Sequence, residues 1–268
     1  MPQGRLFLPS VFHNLFKVSC AGQVMKAVIL AAGKGTRINT GSVLVPKPLY
    51  TVGRKALIEH TILNLKQGGI KEFVIIIGFM SEHIKDFLND GSELGVSIKY
   101  VYNPLFEREL GVSALAAQKA VPAENFILTM ADHVIDPEIV RELILDKGNS
   151  DKCVLCVDRK LDQVNDLEDA TKVLEENEYI VNIDKKLQEF NCIDCGLFLM
   201  TPKIFSALNA TTSQGKDTLS DGVQELIKTK DFIVHNIGDK VWTEVDTRSD
   251  LMLCEELIEQ MNWRNDAG

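Results

Sequence analysis

From Met25 onward the chain alternates short, wholly apolar runs with longer segments whose apolar residues recur every three or four positions. "KAVILAA", "EFVIIIGF", "SIKYVYN" and "FILTMAD" predict strands, and "ALIEHTILNLKQGG", "EHIKDFLND", "VSALAAQKAV" and "PEIVRELILDK" predict the helices between and after them. A run such as "VIII", with no polar alternation, calls for burial on both faces, so helices should cover both sides of the sheet. The expected class is α/β: a doubly wound, mixed but mostly parallel sheet flanked by helices, with ligands gathering at the carboxyl ends of the strands.

The second half reads differently. "KCVLCVD", "TKVLEENEYIVNI" and "CGLFLMT" are strand-like, the middle one a hairpin turning near Glu176 and Asn177. Helical periodicity returns at "PKIFSAL", "LSDGVQELIKT" and "SDLMLCEELIEQM", with "FIVHNI" and "KVWTEVD" as strands between them. This half is expected to complete the sheet and to add a small β lobe.

A length of 268 residues suits one such domain, placed at 25–268. Residues 1–24 read as a leader or disordered extension, because Pro9, His13, Asn14 and Lys17 deny them the apolar core of a secretion signal. No apolar run approaches the length of a membrane span, so the expectation is a cytoplasmic protein without stable membrane insertion. The net charge of −9 argues against a nucleic-acid partner, which needs a dense basic surface to neutralise phosphates. "CVLC" (Cys153, Cys156) and "CIDC" (Cys192, Cys195) invite a zinc reading, but residues three apart on a strand face opposite ways and the two pairs are far apart. Reduced, mostly buried thiols are the preferred reading.

Chemistry concentrates in "LAAGKGTR", which follows the first strand. Leu30, Ala31, Ala32, Gly33, Gly35 and Thr36 leave the backbone amides open to a ligand, and Arg37 can grip phosphate oxygens with two prongs. A dinucleotide fingerprint would need glycine at position 38, which is Ile38, and no Walker pattern is present. Downstream, Lys47 stands between Pro46 and Pro48, a cation on a stiffened stretch of chain.

"AVILAAGKGTR" followed by "PKPL" resembles the signature of the nucleoside-diphospho-sugar pyrophosphorylases, a nucleotidylyltransferase superfamily. Further landmarks come in the same order: Gly111 to Ser113 before a helix, Asp132 in "TMADHVI", "IDKKL", "NCIDCGLF" and "WTEVDTRSDL". Within that superfamily the run from "DATKVLEEN" to "LFLMTPKIF" is most similar to the inositol-1-phosphate cytidylyltransferases. The resemblance implies a Rossmann-like nucleotidyltransferase fold whose small β lobe binds the acceptor. It also implies a reaction in which inositol 1-phosphate attacks CTP to give CDP-inositol and pyrophosphate.

Residue by residue, the resemblance implies that Asp132 and Asp246 hold Mg2+, with an N-cap role as the alternative for each, since each precedes a helical segment. Arg37, Lys47 and Lys185 become the catalytic cations, with Lys186 as the rival of Lys185 for the acceptor phosphate. Asp194 is read as a polyol contact, because a carboxylate can accept two hydroxyl hydrogen bonds, with structural capping as the alternative. The loop from Leu30 to Thr36, together with Gly111 and Ser113, would face the nucleotide. His133, where relatives carry another residue, reads as a partly buried histidine with a backbone partner. The implied partners are CTP, a phosphorylated polyol and a separate membrane CDP-alcohol transferase that takes the product, with a homodimer left open. Competing readings are another acceptor, such as a hexose 1-phosphate or phosphocholine, and an inactive nucleotide-binding module.

Overall fold

The computed structural model describes residues 25–38, 44–164 and 166–266, so the leader expected at 1–24 lies outside the described residues. The first half runs β1 (Lys26–Ala31), a 3-10 turn at Lys47–Leu49, β2 (Thr51–Val52), β3 (Lys55–Ala56), α1 (Leu57–Gln67), β4 (Glu72–Ile77) and α2 (Ser81–Leu88). It continues with β5 (Ser97–Tyr102), α3 (Leu110–Ala116), β6 (Phe126–Met130), β7 (His133–Ile135) and α4 (Pro137–Lys147). The second half adds β8 (Cys153–Asp158), β9 (Lys172–Glu176), β10 (Tyr179–Asp184), β11 (Cys192–Met200), α5 (Lys203–Thr212) and α6 (Leu219–Lys228). β12 (Phe232–Asn236), β13 (Trp242–Glu244) and α7 (Arg248–Asp266) complete it.

Among the described residues the main sheet has nine strands in the order β5-β4-β1-β6-β11-β8-β12-β10-β9. The doubly wound layering holds. Val28, Leu30, Val74, Ile76 and Leu128 share one apolar cluster with residues of α3, α5 and α6. Their neighbours in sequence, Ala27, Ile29, Ile75, Ile77 and Ile127, share the other with residues of α1, α2 and α4. Each large side chain buried this way contributes roughly 1.5–3 kcal/mol, which is why the strands lack polar alternation. The four strand cysteines divide as the pleat requires: Cys153 and Cys192 lie in the first cluster, Cys156 and Cys195 in the second. All four are free and buried, and burial pushes the Cys192 thiol up to about 12.

The expectation of a mostly parallel sheet needs correction. The pairs β5–β4, β4–β1, β1–β6 and β8–β12 are parallel, but β11 runs antiparallel to both β6 and β8, and β10 antiparallel to β12 and β9. Parallel neighbours need a long crossover, whereas β9 and β10 are joined by a tight turn that permits only antiparallel pairing. That turn is Asn177–Glu178, both at positive φ (52° and 68°), one residue beyond the predicted position. β9 also pairs with β11, so the strands of the second half close on one another as a lobe.

Candidate active site

β1 and β6 lie side by side and parallel, with Leu30 opposite Met130. The Ala131 amide donates to the Leu30 carbonyl at 3.0 Å, so the chain leaves both strands at one edge of the sheet. The small-residue loop follows β1 there, and Asp132 follows β6.

Asp246 reaches the same edge by a route that periodicity did not reveal. β7 and β13 form a separate antiparallel ribbon in which His133 stands opposite Glu244, and the Val245 amide donates to the Asp132 carbonyl at 3.1 Å. The two aspartates are therefore neighbours although 114 positions separate their numbers in the sequence. Neither is an N-cap. Asp136 caps α4 by accepting from the Glu138 amide at 3.0 Å. Ahead of α7, Asp250 accepts from the amides of Asp246 and Thr247 at 2.9 and 2.7 Å. Both carboxylates are thus left for other work.

That work is to hold Lys47. The 3-10 turn at Lys47–Leu49, entered through Pro46, directs the lysine inward, and its ammonium donates to Asp132 Oδ2 and Asp246 Oδ1, each at 2.5 Å. Gly35, at φ 59°, makes room for the lysine stem: a Cβ there would lie 2.5 Å from Lys47 Cβ. Burial disfavours the charged lysine, yet Asp132 and Asp246 outweigh it and raise its pKa. Burial likewise opposes ionisation of Asp132, but Lys47 and His133 hold that carboxyl well below the usual carboxylate range.

Arg37 reaches the same cluster, donating to Asp246 Oδ2 at 2.9 Å and to Asp169 Oδ2 at 2.8 Å. His133 is buried, and its partner is a carboxylate rather than the expected backbone group: Nδ1 lies 2.8 Å from Asp132 Oδ1. Its ring stacks on Trp242 at 6.3 Å between centroids, and Trp242 Nε1 donates to Asp158 at 3.1 Å.

These groups border a cleft of about 860 Å³. From the first half it is lined by Leu30 to Arg37, Lys47, Ser113 and Asp132; from the second by Lys185, Lys186, Asp194 and Asp246. Gly111 is the exception and does not line it. A Cβ at Gly111 would lie 2.5–2.6 Å from the carbonyl oxygens of Asp217 and Thr218, so this glycine lets α3 approach the chain entering α6. Asp194 sits beside a bulge in β11, where the Gly196 amide (φ 68°) donates to its Oδ1 at 2.6 Å. Burial pushes the Asp194 carboxyl up to about 6; the Gly196 amide only partly offsets this.

The donor set fits a magnesium ion. Asp132 Oδ2 and Asp246 Oδ1 both reach one ammonium nitrogen, so they are close enough to share a cation. Mg2+ takes one or two carboxylates and fills its shell with water and substrate phosphate. Among the described residues no three acidic, cysteine or histidine side chains form a ready-made metal cluster, so the pair needs oxygens from outside the protein.

Sequence reading missed two members of the site, Asp169 and Glu244. For Glu244 a signal existed: it stands two residues before Asp246, and alternate positions of an extended segment share a face. Its Oε2 lies 3.6 Å from His133 Nε2. For Asp169, within "DLEDAT", spacing carries none.

A small-residue loop after the first parallel strand, two cations and two converging carboxylates thus meet at one edge of the sheet. The chain belongs to the MobA-like NTP transferase domain family, whose model matches residues 27–217. It is 33% identical over 229 residues to the bifunctional IPC transferase and DIPP synthase of Archaeoglobus fulgidus, covering 85% of this chain and 43% of that protein. It is likewise 33% identical over 237 residues to the protein of the same name from Aquifex aeolicus, covering 88% and 52%. The chain thus spans about half the length of these curated relatives. The solved inositol-1-phosphate CTP transferase from T. maritima superposes with a TM-score of 0.79 at 28% identity, covering 90% of this chain and 97% of that one.

Proposed function

We propose that the chain is a cytidylyltransferase that joins CTP and 1L-myo-inositol 1-phosphate to give CDP-inositol and pyrophosphate. The observation that carries this reading is the convergence of Asp132 and Asp246 on Lys47 beside the small-residue loop. The acceptor is supported by the names of the relatives, above all by a solved inositol-1-phosphate CTP transferase matched over nearly its whole length.

In the reaction an oxygen of the acceptor phosphate bonds to the α-phosphorus of CTP while the bond from that phosphorus to the pyrophosphate oxygen breaks. The attacking oxygen is already ionised near neutral pH, so the protein needs no general base; it must align two anions and offset their charge. Lys47 and Arg37 hold the triphosphate, with loop amides from Leu30 to Gly35 behind it. Lys185 grips the acceptor phosphate, with Lys186 next to it in the chain. Asp194 faces the polyol, where a carboxyl can accept hydroxyl hydrogen bonds. Magnesium held by Asp132 and Asp246 would neutralise charge on the transferring group. Phosphocholine suits this cleft poorly, because Trp242 is engaged by His133 and Asp158 and Tyr179 does not line it.

Among the described residues no helix is long and apolar enough to cross a membrane. The test is a panel of phosphorylated alcohols with each of the four common nucleoside triphosphates and Mg2+, read as pyrophosphate release. CTP with inositol 1-phosphate should turn over fastest. Tight CTP binding with no turnover on any acceptor would replace the enzyme reading with a regulatory one.

A further inference from the structure

Three carboxylates and three cations alternate across the cleft in an unbroken run. Asp132 meets Lys47 at 2.5 Å, Lys47 meets Asp246 at 2.5 Å, and Asp246 meets Arg37 at 2.9 Å. Arg37 then meets Asp169 at 2.8 Å, and Asp169 meets Lys185 at 2.9 Å. The roles proposed above use five of the six residues and leave Asp169 without one. Each of its oxygens serves a different cation, Oδ2 the arginine of the small-residue loop and Oδ1 the lysine that follows β10.

We propose that Asp169 is a built-in anion that occupies a phosphate position between Arg37 and Lys185 in the ligand-free chain, and that a substrate phosphate displaces it. The inference rests on the reading of those two side chains as phosphate grips, and deepens it. A carboxylate oxygen and a phosphate oxygen accept from guanidinium and ammonium groups at the same distances. One carboxylate spanning both cations therefore satisfies the donors that a phosphate would satisfy.

The mounting of Asp169 says which contact opens. Its own amide donates to Asp166 Oδ1 at 3.1 Å. The buried Lys172 ammonium donates to the carbonyls of Glu168 at 2.6 Å and Lys185 at 2.8 Å. The segments bearing Asp169 and Lys185 are thereby tied together, and the contact that crosses to the small-residue loop is Arg37–Asp169. All three side chains of the bridge are well exposed, at 41–55%. Exposed pairs are weak, as a contact broken in every catalytic cycle must be.

The two roles open to Asp169 predict opposite signs. A displaceable anion competes with substrate, so removing its charge tightens polyanion binding; a scaffold that orients the cations would weaken it on removal. Calorimetric titration of the full chain with CTP plus Mg2+, and separately with inorganic pyrophosphate, distinguishes them. Asp169→Asn should bind both about fivefold tighter, the factor lost when a weak exposed pair stops competing. Asp169→Glu, which keeps the carboxylate, should restore the wild-type constants. The advantage of Asp169→Asn should shrink as salt is raised, because screening weakens the competitor. Unchanged or weaker binding by Asp169→Asn overturns the proposal alone. A wild-type chain that binds neither CTP nor pyrophosphate overturns the nucleotidyl-transfer reading and takes this inference with it.

Discussion

Asp194→Asn offers a test of the site's electrostatics that needs no substrate. In the folded chain burial pushes Asp194 from an ordinary value of 3.8 up to about 6. The folded state therefore keeps a proton that the unfolded chain loses between about pH 4 and pH 6, and stability falls as pH rises through that window. Above it the ionised carboxylate remains a standing cost. Two pKa units correspond to about 3 kcal/mol, and the partial exposure of the residue brings the expectation to roughly 1–3 kcal/mol. The amide is nearly isosteric, and its oxygen can still accept from the Gly196 amide that donates to Oδ1 at 2.6 Å. Thermal unfolding of both proteins from pH 4 to pH 8 should thus show the variant gaining on wild type between pH 4 and 6, then holding a constant lead. At about 2–4 °C per kcal/mol for a chain near this size, the lead should reach a few degrees or more. A difference that does not vary with pH would refute the buried-carboxyl argument. The same variant should bind the acceptor less well, because an amide offers the polyol hydroxyls one acceptor oxygen in place of two.

Asp132→Ala should abolish turnover in the pyrophosphate-release assay while the circular dichroism spectrum stays native; retained activity would remove Asp132 from the metal-binding pair. Lys47→Met leaves Asp132 and Asp246 facing each other without their shared cation and should cost about 3–5 kcal/mol. Mg2+ should raise the melting temperature of that variant more than that of wild type, and an equal response would count against the two carboxylates as a cation site. Gly196→Ala forces a side chain onto a residue at φ 68° and into the His133 ring. It should lower stability by more than 1 kcal/mol and reduce kcat through a displaced Asp132, measured by chemical denaturation and by pyrophosphate release.

β1, β4 and β6, with the helices α1 and α4, were legible because each is long enough for its apolar pattern to show. β1 and β4 present five consecutive buried residues apiece, a pattern no surface element shares. The cations Arg37, Lys47 and Lys185 and the carboxylates Asp132 and Asp246 could be named from resemblance, and the cleft gathers all five; Asp169 and Glu244, which also line it, could not. What spacing could not supply was the means of their meeting. β7, three residues long, was too short for a two-residue period to register, and although "KVWTEVD" predicted a strand over β13, no spacing said that the two would pair and so carry Asp246 to Asp132. The place of Gly111, outside the cleft lining, was hidden for a related reason: a glycine that admits a ligand and one that admits a neighbouring backbone are identical in sequence. The direction of β11 was equally hidden, since an apolar run buried on both faces has the same composition in either orientation.

On the proposed function, a chain of net charge −9 would handle a triphosphate and a phosphate monoester, and it must hold its cations without exposing them bare to its own acidic surface. The alternating run from Asp132 to Lys185 meets that requirement by giving every cation a carboxylate partner in the ligand-free chain. Substrates then exchange partners instead of adding charge. On the proposed function a divalent ion at Asp132 and Asp246 would free Lys47 for the phosphates, and a phosphate at Asp169's place would relieve that carboxylate of both its cations. A divalent ion alone would strand the buried Lys47 without a partner, where an unpaired charge is costly, and a polyanion arriving with the metal would supply one. Mg2+ and CTP should accordingly bind with mutual reinforcement in this chain. That coupling would be lost in Lys47→Met, whose two carboxylates no longer have a competing ammonium to release.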